Sequence, residues 1–92
     1  MAYSIQFSNR FTKRLKLLQK RGYDLSELNA VIHLLMEQGT LPAKYRPHKL
    51  VGRGYANLWE CHIKPDWLLV WDQDDEVLHL LMIDTGTHAD LF

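Results

Sequence analysis

Three histidines and one aspartate are the residues of this chain whose types could do chemistry together: His48, His62, Asp66 and His88. His62 and Asp66 lie at the two ends of one bend, in the stretch Trp59 to Trp71, which reads W-E-C-H-I-K-P-D-W-L-L-V-W. Imidazole is partly neutral and partly charged near pH 7, so a pair can act as general base and general acid at once. Such a set can cleave RNA without a metal. One group takes the proton of a 2′-OH, another protonates the leaving 5′-oxygen, and cations steady the phosphate. Each proton transfer is typically worth about 10²–10⁴-fold, and nearby aromatics can stack bases. The same four groups could equally hold a zinc ion or be ordinary surface residues, because strict metal or catalytic spacing is absent.

The elements that must position these groups follow from periodicity. Alternation puts Trp59, Cys61 and Ile63 on one face of a strand and Glu60, His62 and Lys64 on the other. Pro65 cannot donate to a ladder and marks the bend. Trp67 to Trp71 is apolar on both faces, as a central strand covered on both sides would be. Upstream, Tyr3–Phe7 alternates and predicts a first strand. Ser8 or Asn9 caps a helix to about Arg21, with Phe11, Leu15 and Leu18 on its buried stripe and Gly22 as its stop. Asp24 or Ser26 caps a second helix to about Gln38, with Leu25, Leu28, Val31, Ile32, Leu35 and Met36 on its stripe and Gly39 as its end. The helices should form an antiparallel hairpin.

Thr40 to Gly54 is expected to be a loop containing His48 and four basic residues, Lys44, Arg46, Lys49 and Arg53. Gly52 and Gly54 allow it to turn tightly into the sheet at about Tyr55. An acidic turn at Asp72–Asp75 leads to a last strand at Glu76–Ile83, closing an antiparallel meander. His33 is a surface or boundary residue, and His79 faces solvent or a helix edge. The order β-α-α-β-β-β makes an α+β fold, with a helical hairpin on one face of a small antiparallel sheet.

Ninety-two residues make one domain, residues 1–92, with a modest core. The chain holds 3 Trp, 4 Tyr and 3 Phe, which argues against disorder. No run is long enough to span a membrane, and Arg10 to Arg21 is basic where a signal peptide needs an apolar core. The single cysteine, Cys61, reads as a small core residue in a reducing, cytoplasmic setting. Net charge is zero, yet residues 1–54 carry 10 Lys/Arg against 3 acids and residues 55–92 carry Lys64 against 8 acids. The basic half suits a polyanion partner, or is simply a solvated helix face.

Three blocks carry a family resemblance: His48-Lys49-Leu50-Val51-Gly52, then Glu60-Cys61-His62-Ile63-Lys64-Pro65-Asp66-Trp67-Leu68-Leu69, then Thr85-Gly86-Thr87-His88-Ala89-Asp90-Leu91-Phe92. In this order the chain resembles, over essentially its full length, the YafQ-type toxins of the RelE/ParE superfamily. These are the toxin half of bacterial type II toxin–antitoxin pairs. The resemblance implies a RelE-like fold and an endoribonuclease that enters the ribosomal A site and cuts mRNA there, without metal or other cofactor. It implies catalytic roles for His48, His62, Asp66, His88 and the terminal Phe92. Lys49, Arg53 and Lys64 would hold RNA phosphate. Arg10, Lys13, Arg14, Lys16, Lys20 and Arg21 would contact ribosomal RNA. The implied partners are the ribosome, mRNA and a cognate antitoxin, acidic and partly disordered, through which operator DNA would be bound.

The chain departs from the family pattern at three places. Asp84 stands before Thr-Gly-Thr-His where the family usually has Arg, and a carboxylate there repels a phosphodiester. Another cation, Arg53 or Lys64, must then replace it, or activity is weakened, altered or lost. Arg53 also looks like a one-residue insertion, and Asn57 replaces a common glycine, which Asn tolerates better than most residues. The rival to a nuclease is a non-catalytic module on the same scaffold that binds an antitoxin or DNA gyrase. The set His48, His62, Asp66 and His88 argues against it, because a pure binding module has no reason to hold it.

Overall fold

The computed structural model describes residues 2–51 and 57–92. The expectations for Gly52, Arg53, Gly54 and Tyr55 therefore lie outside the described residues. The elements in order are β1 (Ser4–Phe7), α1 (Asn9–Lys20), α2 (Leu25–Gln38), a 3-10 turn (Ala43–Tyr45), β2 (His48–Lys49), β3 (Trp59–Lys64), β4 (Trp67–Asp74), β5 (His79–Gly86) and α3 (His88–Leu91). The strands form one sheet in the order β1-β5-β4-β3-β2.

Both helices begin where the capping residues predict. The Ser8 hydroxyl accepts from Phe11 N, and the Asp24 carboxylate accepts from Ser26 N. Gly39 ends α2 in the left-handed region at φ 69. A Cβ there would lie 2.6 Å from the Tyr3 ring, so both backbone angle and space demand glycine.

The helical stripes close over one face of the sheet. Phe11 and Leu18 of α1 and Leu28, Val31, Ile32 and Leu35 of α2 share a core with Cys61, Trp67, Leu69, Trp71, Leu80 and Met82. Burial of each such leucine or phenylalanine contributes on the order of 1.5–3 kcal/mol. β4 is the central strand, and its Leu68 and Val70 are also fully buried. Cys61 is buried, and that burial, with the Glu60 charge beside it, pushes its thiol pKa up to about 12. It is a core residue rather than a nucleophile.

Four features differ from expectation. The β3–β4–β5 meander is antiparallel, but β1 pairs with β5 in parallel, so the sheet is mixed. The loop after α2 contains the 3-10 turn and β2, whose two residues are a strand only because they pair with β3. The acidic turn falls later than Asp72–Asp75: β4 runs on to Asp74, whose carboxylate accepts from Glu76 N and Val77 N and so sets the turn there. β5 accordingly starts at His79 rather than Glu76 and continues to Gly86. His79 ties the sheet edge, its Nδ1 lying 2.8 Å from Ser4 Oγ and its Nε2 3.2 Å from Gln6 Oε1. Finally, the last residues form α3, closed by a reciprocal capping box between Thr87 and Asp90.

Candidate active site

The sheet brings the three histidines into a row. His48 of β2 pairs across from Glu60 of β3, and His62 lies two residues further along β3 on the same side of the pleat. A β-bulge between His62 and Lys64 distorts the ladder just before the Pro65-Asp66 turn, an irregularity of the kind that re-aims a side chain. α3 carries His88 to the other side of His62. The ring centroids are 6.2 Å apart for His48 and His62, 6.1 Å for His62 and His88, and 6.4 Å for His88 and Phe92.

Each imidazole is held by a fixed acceptor. The Asp66 carboxylate accepts from His88 Nδ1 at 2.8 Å and from His88 backbone N at 3.1 Å. Those two hydrogen bonds hold the Asp66 pKa below its ordinary value. Asp66 is therefore ionised wherever histidine titrates, and His88 carries its hydrogen on Nδ1. His62 Nδ1 faces the Pro65 carbonyl at 3.3 Å. A carbonyl only accepts, so this nitrogen too carries the hydrogen. With Nδ1 occupied in both rings, Nε2 is the atom left to face a substrate.

His48 differs. Its Nδ1 lies 2.8 Å from the Arg46 carbonyl, and its Nε2 lies 3.1 Å from Glu60 Oε1. Both nitrogens of His48 thus face oxygen atoms, and Glu60 lies directly behind the ring. Glu60 is only 5% exposed, and its second oxygen, Oε2, has no hydrogen-bond partner. The sequence reading placed Glu60 on the polar face but gave it no role. The signal was present, since an acid two residues before His62 shares its face.

The cations distribute unevenly. Lys49 Nζ lies over the Trp59 ring, 5.6 Å from its centroid. Lys64 Nζ reaches Glu27 of α2 at 3.4 Å, yet Lys64 also lines a recess of about 150 Å³ with Lys44, Arg46 and His62. Lys44 and Arg46 were noted as basic loop residues but not counted in the site. On α1, Arg10, Lys13, Lys16 and Lys20 are exposed. Arg14 and Arg21 are engaged internally: Arg14 Nε pairs with Asp84 at 3.2 Å, and Arg21 grips Asp90 with both terminal nitrogens at 2.8 and 3.1 Å. Asp84 is thus paired with Arg14, while Lys64 reaches Glu27; Arg53, the other candidate for the missing phosphate cation, lies outside the described residues. Among the described residues, no group of three or more His, Cys, Asp or Glu is placed to hold a metal ion.

The family described as "Bacterial toxin of type II toxin-antitoxin system, YafQ" matches residues 3–92. The chain belongs to the YafQ family. It is 38% identical over 91 residues to the mRNA interferase toxin YafQ of Escherichia coli strain K12, covering 96% of this chain and 94% of that one. Among solved structures it is similar to the YafQ chain of the E. coli DinJ–YafQ complex, at 36% identity and a TM-score of 0.87, covering 98% of both chains. It is also similar to a metal-bound toxin from Helicobacter pylori, at 39% identity and a TM-score of 0.87, covering 98% of this chain and 99% of that one. The RelE-like α+β reading of the YafQ blocks agrees with these folds. Among the described residues, no helix is long and apolar enough to cross a membrane.

Proposed function

We propose that this YafQ-family toxin is an endoribonuclease that cuts mRNA in the ribosomal A site by histidine acid/base catalysis, with no metal in the chemical step. The observation that carries this reading is the pair His62 and His88. Their rings lie 6.1 Å apart, and each has Nδ1 fixed by an acceptor and Nε2 left for a substrate. One imidazole, open at Nε2, takes the 2′-OH proton as that oxygen attacks the phosphorus, while the other, entering as the imidazolium, gives its Nε2 proton to the leaving 5′-oxygen. Asp66 orients His88, as an acid orients its histidine in a hydrolytic triad. His48 with Glu60 adds an imidazole–carboxylate contact at the far end of the row. Lys44, Arg46 and Lys64 beside His62 attract the phosphate, and Phe92 beside His88 offers a face for a base. The exposed cations Arg10, Lys13, Lys16 and Lys20 on α1 contact ribosomal RNA, with Lys49 and Arg53 as further phosphate contacts.

An antitoxin is the expected protein partner. A relative of 36% identity was solved in complex with DinJ, and an acidic partner suits the basic α1. Operator DNA would be reached through that antitoxin, and the protein would act in the cytoplasm.

The test is mRNA cleavage in a reconstituted translation reaction with and without ribosomes, mapped by primer extension. Cuts in the coding frame that need ribosomes are expected. Intact mRNA in both arms from correctly folded protein would overturn the proposal and favour the non-catalytic binding module.

A further inference from the structure

We infer that Asp90 and Arg21 form a positioning pair that seats His88, so that Arg21 serves the active site from within rather than the ribosome from outside. This inference rests on the nuclease reading for its kinetic consequence but not for its geometry. α3 has four residues, His88–Leu91, too few to be helical on its own. Something outside it must hold it, and the contacts converge on Asp90.

Arg21 Nη1 and Nη2 donate to Asp90 Oδ2 and Oδ1 at 2.8 and 3.1 Å. This is the two-pronged arrangement that fixes angle as well as distance. Thr87 N donates to Asp90 Oδ2 at 2.9 Å, and Asp90 N donates to the Thr87 hydroxyl at 3.2 Å. Arg14 Nη2 donates to the Asp90 carbonyl at 3.0 Å. Asp90 also packs onto the strand end, since a Cβ on Gly86 would come within 2.7 Å of its Oδ2. The carboxylate is 11% exposed.

His88 lies inside this closed turn, between Thr87 and Asp90. Its backbone N and its Nδ1 both reach Asp66 on the far side. The α3 turn is thus strung between Arg21 at the C-terminal end of α1 and Asp66 at the β3–β4 bend. Loss of either anchor lets His88 shift relative to His62. A displacement of about 1 Å at a catalytic group can cost 10²-fold in rate. Arg14 and Arg21 show a matching pattern on α1. They stand three residues after Phe11 and Leu18, the two buried residues of the helix, and so border the buried stripe, Arg14 partly buried and Arg21 more exposed.

The test compares Asp90→Asn, Arg21→Gln, the double variant, and Asp90→Asn in a His88→Ala background. Asparagine keeps one oxygen for the Thr87 amide but turns an NH2 donor toward Arg21 in place of the other acceptor, and a thermal melt of each variant checks that the fold is retained. Each single variant is expected to slow single-turnover cleavage by about 10-fold to 100-fold with KM unchanged. The double variant should be no slower than either single, because both remove one pair. Asp90→Asn should add nothing once His88 is alanine. A ribosome contact gives the opposite pattern: Arg21→Gln raises KM and Asp90→Asn is silent, which would overturn the inference. The His88 amide and imidazole NMR signals report independently of activity. They should move in Asp90→Asn and Arg21→Gln even if the natural chain proves not to cut mRNA. Unmoved signals would overturn the pair, and inactivity with moved signals would count against the nuclease reading alone.

Discussion

Replacing His88 by alanine is expected to slow mRNA cleavage by about 10²–10⁴-fold, the range for removal of one acid/base group, while the protein stays folded. The side chain is 59% exposed, so its removal should change stability by no more than about 0.5 kcal/mol. The role proposed for it rests on two contacts to one carboxylate. Asp66 holds the ring through Nδ1 and leaves Nε2 for a substrate. Because Asp66 stays ionised below its ordinary pKa, the ring keeps this orientation throughout the range where histidine itself titrates. His62→Ala should lose activity to a similar extent, as the other half of the proton exchange. Cleavage by His88→Ala at the natural rate, measured in single turnover, would remove His88 from the chemistry and leave it as a structural neighbour of Phe92.

The second large effect concerns Asp84. From the family pattern alone, Asp84→Arg should restore a missing cation and raise activity. The structure predicts the reverse. Asp84 is 5% exposed, accepts from Thr85 N at 2.8 Å and pairs with Arg14 at 3.2 Å. An arginine in its place would set two guanidinium groups together in a site built for one of each sign. Breaking a buried pair by removing one partner costs about 3–5 kcal/mol. In a domain of this size that lowers the melting temperature by roughly 12 °C or more, at about 4–8 °C per kcal/mol. Reversing both partners, Arg14→Asp with Asp84→Arg, should recover a substantial part of the loss. A thermal melt of the natural chain, the single variant and the reversed pair decides this. An unchanged midpoint in the single variant would mean that the Arg14–Asp84 pair contributes nothing.

These two cases show where the sequence was readable. Local signals held. Ser8, Asp24 and Gly39 marked helix ends because caps act over a few residues. Alternation from Trp59 to Lys64 sorted the core face from the histidine face because a strand has period two. The double-sided apolarity of Trp67–Trp71 announced the central strand. What failed was set by partners far along the chain. β2 exists through its pairing with β3, and no propensity in His48-Lys49 announces it. The parallel attachment of β1 to β5 joins residues about 75 apart. Asp84 and Arg14 are 70 residues apart, so the sequence showed an unexplained acid rather than half of an ion pair. The Thr87–Asp90 capping box was legible, being a Thr followed three residues later by an acid. A four-residue helix after a strand carries no periodic pattern, so the capping box is its one sequence signal.

For the site itself, the resemblance supplied the histidines, Asp66 and Phe92; the sheet and α3 set the rings in successive contact, and Asp66 holds His88 from the β3–β4 bend. Which nitrogen each ring commits, and the presence of Glu60 behind His48, are matters of register and bond direction that no motif carries. The cation set shifted most. Lys49 and Lys64 reach Trp59 and Glu27, while Lys44 and Arg46 share the recess beside His62.

The most direct measurement of the central claim is the chemical identity of the ends left on cleaved mRNA. Attack by the 2′-OH under histidine acid/base catalysis leaves a 2′,3′-cyclic phosphate, or the 3′-phosphate it opens to, and a 5′-hydroxyl. Products carrying these ends, labelled directly by a kinase without prior phosphatase treatment, are the predicted result. A 5′-phosphate with a 3′-hydroxyl would mean that water, and not the 2′-OH, attacks the phosphorus, and would contradict the mechanism proposed for His62 and His88.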